Sequence, residues 1–170
     1  MPNKRGPLSI ASHRDPLSNE PADRVLRQFR QVFNAVKTHF QQVEKKVGLG
    51  GAQVWALSII QASPGVGVGA LASIMNIHQS TASNLVKSLV ERELVLPVRD
   101  EVDRRSVRLK LLPAGGHVLR RTPGPYSGVL PDALAQLDAR SLKRLEADLA
   151  KLIAMLVVDE SAKQIPLSEL

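Results

Sequence analysis

The sequence contains no cysteine, which excludes disulfide bonds, thiolate zinc sites and regulation by thiol oxidation. Aromatic residues make up only 3% of the 170 residues, so a ligand pocket would be lined mostly by aliphatic side chains. No apolar run is long enough for a membrane-spanning helix, and residues 1–21 lack the apolar segment of a secretory signal. We therefore expect a cytoplasmic protein.

Recognised enzyme motifs are also missing from the sequence. Residues 65–70, GVGVGA, fit the dinucleotide-binding pattern G-x-G-x-x-A, but the preceding run is helical rather than a strand, so we reject that reading. No P-loop, G-x-S-x-G or H-E-x-x-H pattern is present. The four histidines are dispersed along the chain, at His13, His39, His78 and His117. We expect no enzymatic activity, no metal and no cofactor.

Positive charge is what the chain has in excess. Lys and Arg number 23 against 16 for Asp and Glu, which gives a net charge of +7. This balance favours polyanionic partners, either nucleic acid or an anionic membrane surface. The length fits one hydrophobic core with short tails.

Helical periodicity dominates the first half of the chain. Residues 1–19 are rich in Pro, Ser and charge, which indicates a flexible arm, and residues 20–47 form a long amphipathic helix. Shorter helices are predicted at 52–63 and 70–75. Asn76 then marks a sharp turn, because Asn tolerates the left-handed conformation better than most residues.

The next predicted helix, at about 79–93, has two different faces. One face is an apolar core stripe. The other is polar, short and nearly free of acids, with Gln79, Ser80, Thr81, Ser83, Asn84 and Lys87. An ordinary solvated helix face carries long charges of both signs, so this face is better suited to hydrogen-bonding with base edges.

Alternating residues at 94–99 and 106–112 predict a β-hairpin with Val107, Leu109 and Leu111 inward and Arg108 and Lys110 outward. Pro97 indicates that its strand has a free edge. The connecting loop carries Asp103, Arg104 and Arg105. Taken alone, such a loop is an ordinary solvated turn, but after a helix–turn–helix pattern we interpret it as a DNA-contacting wing, with Asp103 pairing with Arg105 to hold its shape.

Helices return after the hairpin. Pro113 begins the next one, Pro123-Gly124-Pro125 interrupts the pattern before it resumes over Tyr126–Ala135, and Asp138 is a plausible N-cap for a last helix that reaches Leu156. The predicted fold is mainly α with a small β-hairpin wing, a winged helix-turn-helix.

At this point the sequence resembles the multiple antibiotic resistance regulator (MarR) family of bacterial transcription factors, over about residues 21–157. The most specific match is Asp103-x-Arg105-x5-Leu111 followed by Leu112-Pro113-Ala114-Gly115, supported by Gln53, by Leu71-Ala72 and by residues 79–83. Leu112 stands where the family usually has Thr, and His78 replaces a small hydroxyl residue before the recognition helix.

The resemblance implies a dimeric architecture. Residues 20–47 and 114–158 would be the dimerisation helices, 48–113 the DNA-binding lobe, with the recognition helix at about 79–93 and the wing at about 94–112, and 159–170 a tail. It also implies a homodimer on pseudo-palindromic operator DNA, and a pocket between the dimerisation helices and the DNA-binding lobe for small aromatic or phenolic acids. We take His39, Trp55 and Arg105 as candidate effector-binding residues; the alternative for His39 and Trp55 is a plain packing role.

The function expected from these observations is a transcriptional regulator, most often a repressor, that an effector releases from double-stranded DNA. Gln79, Ser80, Thr81, Ser83, Asn84 and Lys87 would contact bases and phosphates, and Arg104, Arg105 and Arg108 would anchor the wing. The alternatives are a non-specific architectural DNA-binding protein without an effector, and a winged-helix protein-interaction module or a small enzyme that uses the apolar pocket.

Overall fold

The computed structural model describes residues 21–99 and 107–156 of the chain. They form a mainly helical fold with one two-stranded antiparallel sheet. The elements are α1 (Pro21–Val47), α2 (Gly51–Ala62), α3 (Val68–Met75), α4 (Gln79–Glu91), β1 (Val95–Arg99), β2 (Val107–Leu111), α5 (Pro113–Arg121), α6 (Val129–Ala135) and α7 (Ala139–Ala154). None of the helices in this part of the chain is long and apolar enough to cross a membrane. The predicted fold class is confirmed.

Helix α1 starts at Pro21 as predicted, with proline in the first turn where its missing N–H costs nothing. Gly48, with φ of 70°, ends the helix in a conformation that favours glycine. Only Val36, His39 and Val43 of this long helix are buried. Much of its apolar stripe therefore has no partner within the described chain.

The core is built around α2. Seven of its twelve residues are buried, and Ala56 and Leu57 have no exposed surface. Helices α3, α4 and α5 and strand β2 all pack against it. A short helix covered on most sides must be apolar nearly all round, which explains its composition.

The hairpin pairs β1 with β2 in a register that sets Val95 opposite Leu111 and Arg99 opposite Val107. Pro97 lies in β1, which pairs with β2 alone among the described residues, as its predicted free edge requires. Strand β2 is anchored on its other side, because the Leu109 N–H donates to the Val66 carbonyl at 3.0 Å.

One part of the predicted hairpin pattern is wrong. Leu109 is fully buried and Leu111 is half-buried, but Val107 is 40% exposed. Val107 shares a strand face with Leu109, yet it pairs with Arg99 at the far end of the hairpin, away from the segment that bonds to Val66. Alternation identifies a strand face, but burial also needs a neighbour to cover it.

The C-terminal helices follow the predicted order with one shift. Helix α5 begins at Pro113 and its N-cap, Leu112, makes no side-chain cap, as its departure from Thr implies. The next helix begins at Val129 rather than at Tyr126, so that predicted boundary is wrong. The Tyr126 hydroxyl donates to the Leu119 carbonyl at 3.1 Å, and Gly128 has a φ of 100°, which holds residues 126–128 outside the helix.

Asp138 is the N-cap of α7, as predicted. Its Oδ1 accepts hydrogen bonds from the backbone N–H groups of Arg140 at 2.9 Å and Ser141 at 3.0 Å. The Ser141 hydroxyl also donates to Oδ2 at 2.7 Å. These hydrogen bonds, above all the one from the Ser141 hydroxyl, lower the pKa of the Asp138 carboxyl below its ordinary value.

Candidate nucleic-acid interface

The turn between α3 and α4 has the geometry that the sequence predicts. Asn76 adopts the left-handed conformation, with φ of 53° and ψ of 46°. The following residue, Ile77, is buried, and its N–H donates to the Ala72 carbonyl at 3.0 Å. This turn fixes the angle at which α4 leaves α3 and directs one face of α4 away from the core.

The two faces of α4 separate as predicted. The buried face consists of Ala82, Leu85, Val86 and Leu89. The candidate DNA-contacting residues Gln79, Ser80, Ser83, Asn84 and Lys87 are exposed, and Thr81 is half-buried. The structure therefore gathers all six side chains on one helix and leaves five of them open to a ligand.

Few internal contacts engage this polar face. The Ser83 hydroxyl donates to the Gln79 carbonyl at 2.8 Å, which leaves its oxygen able to accept. Lys87 Nζ lies 4.0 Å from Glu91 Oε1, and both side chains are largely exposed. A pair this exposed contributes little, so Lys87 can leave it for a phosphate or a base.

The start of α4 also has no side-chain cap, because His78 is its N-cap and makes no cap hydrogen bond. The sequence indicates this through the replacement of a small hydroxyl residue by His78. Backbone N–H groups at an uncapped helix start can donate to a phosphate, and the helix dipole favours negative charge there.

The wing is described in part. Arg108 lies on the exposed side of β2, and its guanidinium rests close to Gly65, where an added Cβ would lie 3.6 Å from Nη1. Arg99, at the far end of β1, is exposed as well, and sequence reasoning missed it as a wing cation. Its position as the last residue of the first strand is the signal that could have found it. Asp103, Arg104 and Arg105 lie outside the described residues.

The candidate effector residues His39 and Trp55 occupy packed positions. His39 is buried, with Nε2 3.1 Å from the Pro125 carbonyl oxygen and its ring edge-on to Phe40. Trp55 is half-buried against the core. The third candidate, Arg105, lies outside the described residues.

A cavity of about 620 Å³ lies between α1, the start of α2 and α6. It is lined by Val32, Phe33, Val36, Lys37, Phe40, Gln41, Glu44, Gly50, Gly51 and Leu130. Most of these side chains are apolar, and Lys37 and Glu44 add one charge of each sign. Neither His39 nor Trp55 lines this cavity. Sequence reasoning missed it because its walls come from three separate segments.

Within residues 21–99 and 107–156, no group of three His, Asp or Glu side chains is arranged to hold a metal ion. The exposed surfaces of α4 and the hairpin carry hydrogen-bonding side chains and cations.

Known proteins resemble this chain in sequence. The model of the MarR family matches residues 47–106. The HTH-type transcriptional regulator YdgG of Bacillus subtilis, itself uncharacterised, is 30% identical over 88 residues, which are 51% of this chain and 58% of that protein. The chain thus spans little more than half the length of that relative.

Solved structures share the fold. The DNA complex of MepR from S. aureus superposes with a TM-score of 0.57 at 18% identity, covering 79% of this chain and 98% of that chain. A MepR-like protein complexed with pseudoligands gives a TM-score of 0.56 at 20% identity, covering 76% and 92%. These structures confirm the fold that the resemblance implies, and the MarR family model matches the segment that contains α2, α3, α4 and β1.

Proposed function

We propose that this protein is a transcriptional regulator of the MarR family and not an enzyme, and that it represses its target gene as a homodimer bound to pseudo-palindromic operator DNA. The observation that carries the proposal is the exposed, hydrogen-bonding face of α4, which follows the left-handed turn at Asn76 and lies opposite a fully apolar buried face.

The chemistry of the α4 face supports base readout. Gln and Asn side chains can bond adenine through two hydrogen bonds, and Ser and Thr bond either kind of base pair. From Ser80 to Lys87 the helix rises about 10.5 Å, which is about three base-pair steps. One recognition helix can therefore contact a short half-site in the major groove, while Lys87 binds a base or a phosphate at its far end.

The wing would contribute sequence-independent affinity. Arg108 is exposed on β2, and Arg104 and Arg105 remain predicted contacts to the DNA backbone and the adjacent minor groove. Arg99 joins this set because it lies at the same end of the hairpin.

Apolar surface on α1 and α7 supports the homodimer. Helix α7 has no buried residue, although Leu142, Leu145, Leu152 and Ile153 are each between 36% and 48% exposed. On α1, Val25, Leu26, Val32 and Phe33 are between 41% and 58% exposed. Apolar stripes of this extent need a partner in water, and a second copy supplies matching stripes through a twofold axis.

We place the effector in the cavity between α1, α2 and α6. Its size suits a small organic molecule, and Phe33 and Phe40 can contact an aromatic ring. Lys37 supplies a cation for the carboxylate of an aromatic or phenolic acid. An acid bound here would contact Phe33, Lys37 and Phe40 rather than His39 and Trp55. It would lower operator affinity if it binds more tightly to a conformer whose recognition helices are wrongly spaced.

The test is binding to the DNA immediately upstream of the protein's own gene, measured by fluorescence anisotropy against random DNA of equal length and across a salt series, with and without a panel of aromatic carboxylates. We expect an affinity for the upstream DNA at least about a thousand times that for random DNA, and a loss of that affinity with at least one acid. Equal affinity for both DNAs would favour an architectural protein. Absence of any DNA binding at moderate salt would favour a protein-interaction module or a small enzyme.

A further inference from the structure

The recognition helix is connected to the turn before α2 by a hydrogen-bonded side chain. Gln53 Nε2 donates to the Ser88 hydroxyl of α4 at 2.7 Å. The Oε1 atom of the same side chain accepts from the Gly50 backbone N–H at 3.0 Å. Since an N–H must meet an acceptor, the amide has one orientation that satisfies both partners. Gln53 thus links Gly50 to α4 through a single rigid group.

A second hydrogen bond reaches the same turn from the end of α4. Arg92 Nη1 donates to the Gly48 carbonyl at 2.8 Å. The turn at residues 48–50 is therefore linked to Ser88 of α4 through Gln53, and it bonds directly to Arg92, the C-cap of α4 one helical turn later. By contrast with Ser88, which accepts a hydrogen bond from another helix, the hydroxyls of Ser73 and Ser83 donate to carbonyls of their own helices.

Apolar contacts also hold α4. Leu85, Val86 and Leu89 pack into the core without directional preference. Such packing tolerates small rotations of a helix about its axis, whereas a hydrogen bond of 2.7 Å does not. Ser88 lies one turn after Asn84 on the same side of the helix, so a rotation of α4 that breaks the Ser88 hydrogen bond also turns Asn84.

The required precision can be estimated. Side chains extend about 5–6 Å from a helix axis, so a rotation of about 20° moves a side-chain tip by about 2 Å. A displacement of that size removes a base hydrogen bond but leaves phosphate attraction nearly unchanged. We propose that Gln53 is a positioning residue for sequence readout, which sets the rotation of α4 through Ser88.

This inference rests on the proposed DNA-binding function and names a residue that acts on its specificity without touching DNA. It also ties α4 to the cavity, because Gly50 is both a lining residue and the partner of Gln53. The atoms that would respond to an occupant of the cavity are therefore two hydrogen bonds away from the recognition helix.

Ser88→Ala is the decisive variant, because it removes the link to α4 while the hydrogen bond between Gln53 and Gly50 stays. We expect the ratio of affinities for upstream and random DNA to fall about fivefold or more. Affinity for random DNA and its salt slope should stay within about twofold of wild type, because phosphate contacts do not depend on this rotation. Ser88→Thr keeps the hydroxyl and should keep the ratio.

Ser58→Ala is the matched control, since the Ser58 hydroxyl is also half-buried but bonds only within α2, to the Trp55 carbonyl. It should leave the ratio unchanged. Gln53→Met keeps the side-chain length without the hydrogen bonds and should lower the ratio as Ser88→Ala does. In a double variant that combines Ser88→Ala with Gln53→Met, the ratio of affinities for upstream and random DNA should be no lower than in the more impaired single variant.

Circular dichroism and melting temperature check that each variant folds. If Gln53→Met is unstable, Ser88→Ala alone tests the positioning role of Gln53. An unchanged ratio in folded Ser88→Ala, equal weakening on both DNAs, or additive losses in the double variant would overturn the inference. A wild-type protein without sequence preference would instead refute the proposed function, so the two failures are distinguishable.

Discussion

Leu145 on α7 gives the most direct test of the proposed dimer. This side chain is 39% exposed on a helix that buries none of its residues within the described chain. If α7 packs against a second copy, Leu145→Ala removes apolar contact from both protomers, because each residue of a twofold interface occurs twice.

The magnitude follows from the remaining exposure. Complete burial of a leucine side chain is worth about 1.5–3 kcal/mol, so the exposed 39% of Leu145 is worth roughly 0.6–1.2 kcal/mol per copy. Two copies lose about 1.2–2.4 kcal/mol. This raises the dimer dissociation constant by roughly 8- to 60-fold.

Leu96→Ala on β1 provides the control. It makes the same chemical change at a site of similar exposure, 45%, but on the hairpin and outside the α1 and α7 stripes. Sedimentation equilibrium over a concentration series measures the dissociation constant of each variant. Circular dichroism confirms that helix content is retained.

We expect a weaker dimer for Leu145→Ala and an unchanged one for Leu96→Ala. The reasoning is refuted if the wild-type protein is monomeric throughout the series, or if both leucine variants have the same dissociation constant as wild type. Equal weakening by both variants would also contradict the reasoning, because the effect would then not be specific to α7.

Three further predictions concern readout, packing and capping. Asn84→Ala should change which DNA sequences the protein prefers, as measured by anisotropy on a set of single-base variants. Arg104→Ala should lower the affinity for all of these sequences alike and reduce the salt slope of binding by about one. The opposite pattern would exchange the roles proposed for the two residues. Gly51→Ala should lower the free energy of unfolding, measured in urea, by about 1–3 kcal/mol, because the added Cβ would overlap the Phe40 ring. Gly69→Ala, with no neighbouring atom within 4 Å of the added Cβ, should raise it by about 0.5–1 kcal/mol. Equal effects of the two substitutions would contradict the packing of Phe40 on Gly51. Folding lowers the pKa of the Asp138 carboxyl, so its cap stabilises α7 at pH values above the ordinary pKa of 3.8 and loses that effect as the pH falls below it. The melting temperature of wild type should therefore fall more steeply in that acid range than the melting temperature of Asp138→Asn, which keeps a cap that does not titrate.

Local patterns in the sequence were enough to predict most of the elements. The left-handed turn at Asn76, the start of α5 at Pro113 and the Asp138 cap each depend on a few neighbouring residues, and all three are confirmed. The polar and apolar faces of α4 follow from helical periodicity alone. Each of these features is decided within about one helical turn of the residue that signals it.

Burial at the end of the hairpin could not be predicted in the same way. Alternation put Val107 on the inner face, but whether a face is covered depends on elements distant in sequence. The same limit applies to the cavity. His39 and Trp55 are predicted as effector residues from their positions on the first two helices, whereas Phe33, Lys37 and Phe40 line the cavity because α1, α2 and α6 meet there.

The junction around Phe40 has no sequence signal at all, yet it joins the helices on which the proposed mechanism depends. The Phe40 ring packs against Gly51 at the start of α2, and on the other side an added Cβ at Gly128 would lie 2.8 Å from its Cζ. The neighbouring His39 bonds to the Pro125 carbonyl in the segment before α6. Two consecutive residues of α1 thus contact both the first turn of α2 and the loop that leads to α6. Neither glycine leaves room for a side chain, and the turn before α2 is joined to α4 because the Gln53 side chain bonds to both Gly50 and Ser88. A molecule in the cavity that pushed the Phe40 ring toward Gly51 would therefore displace the backbone next to this link.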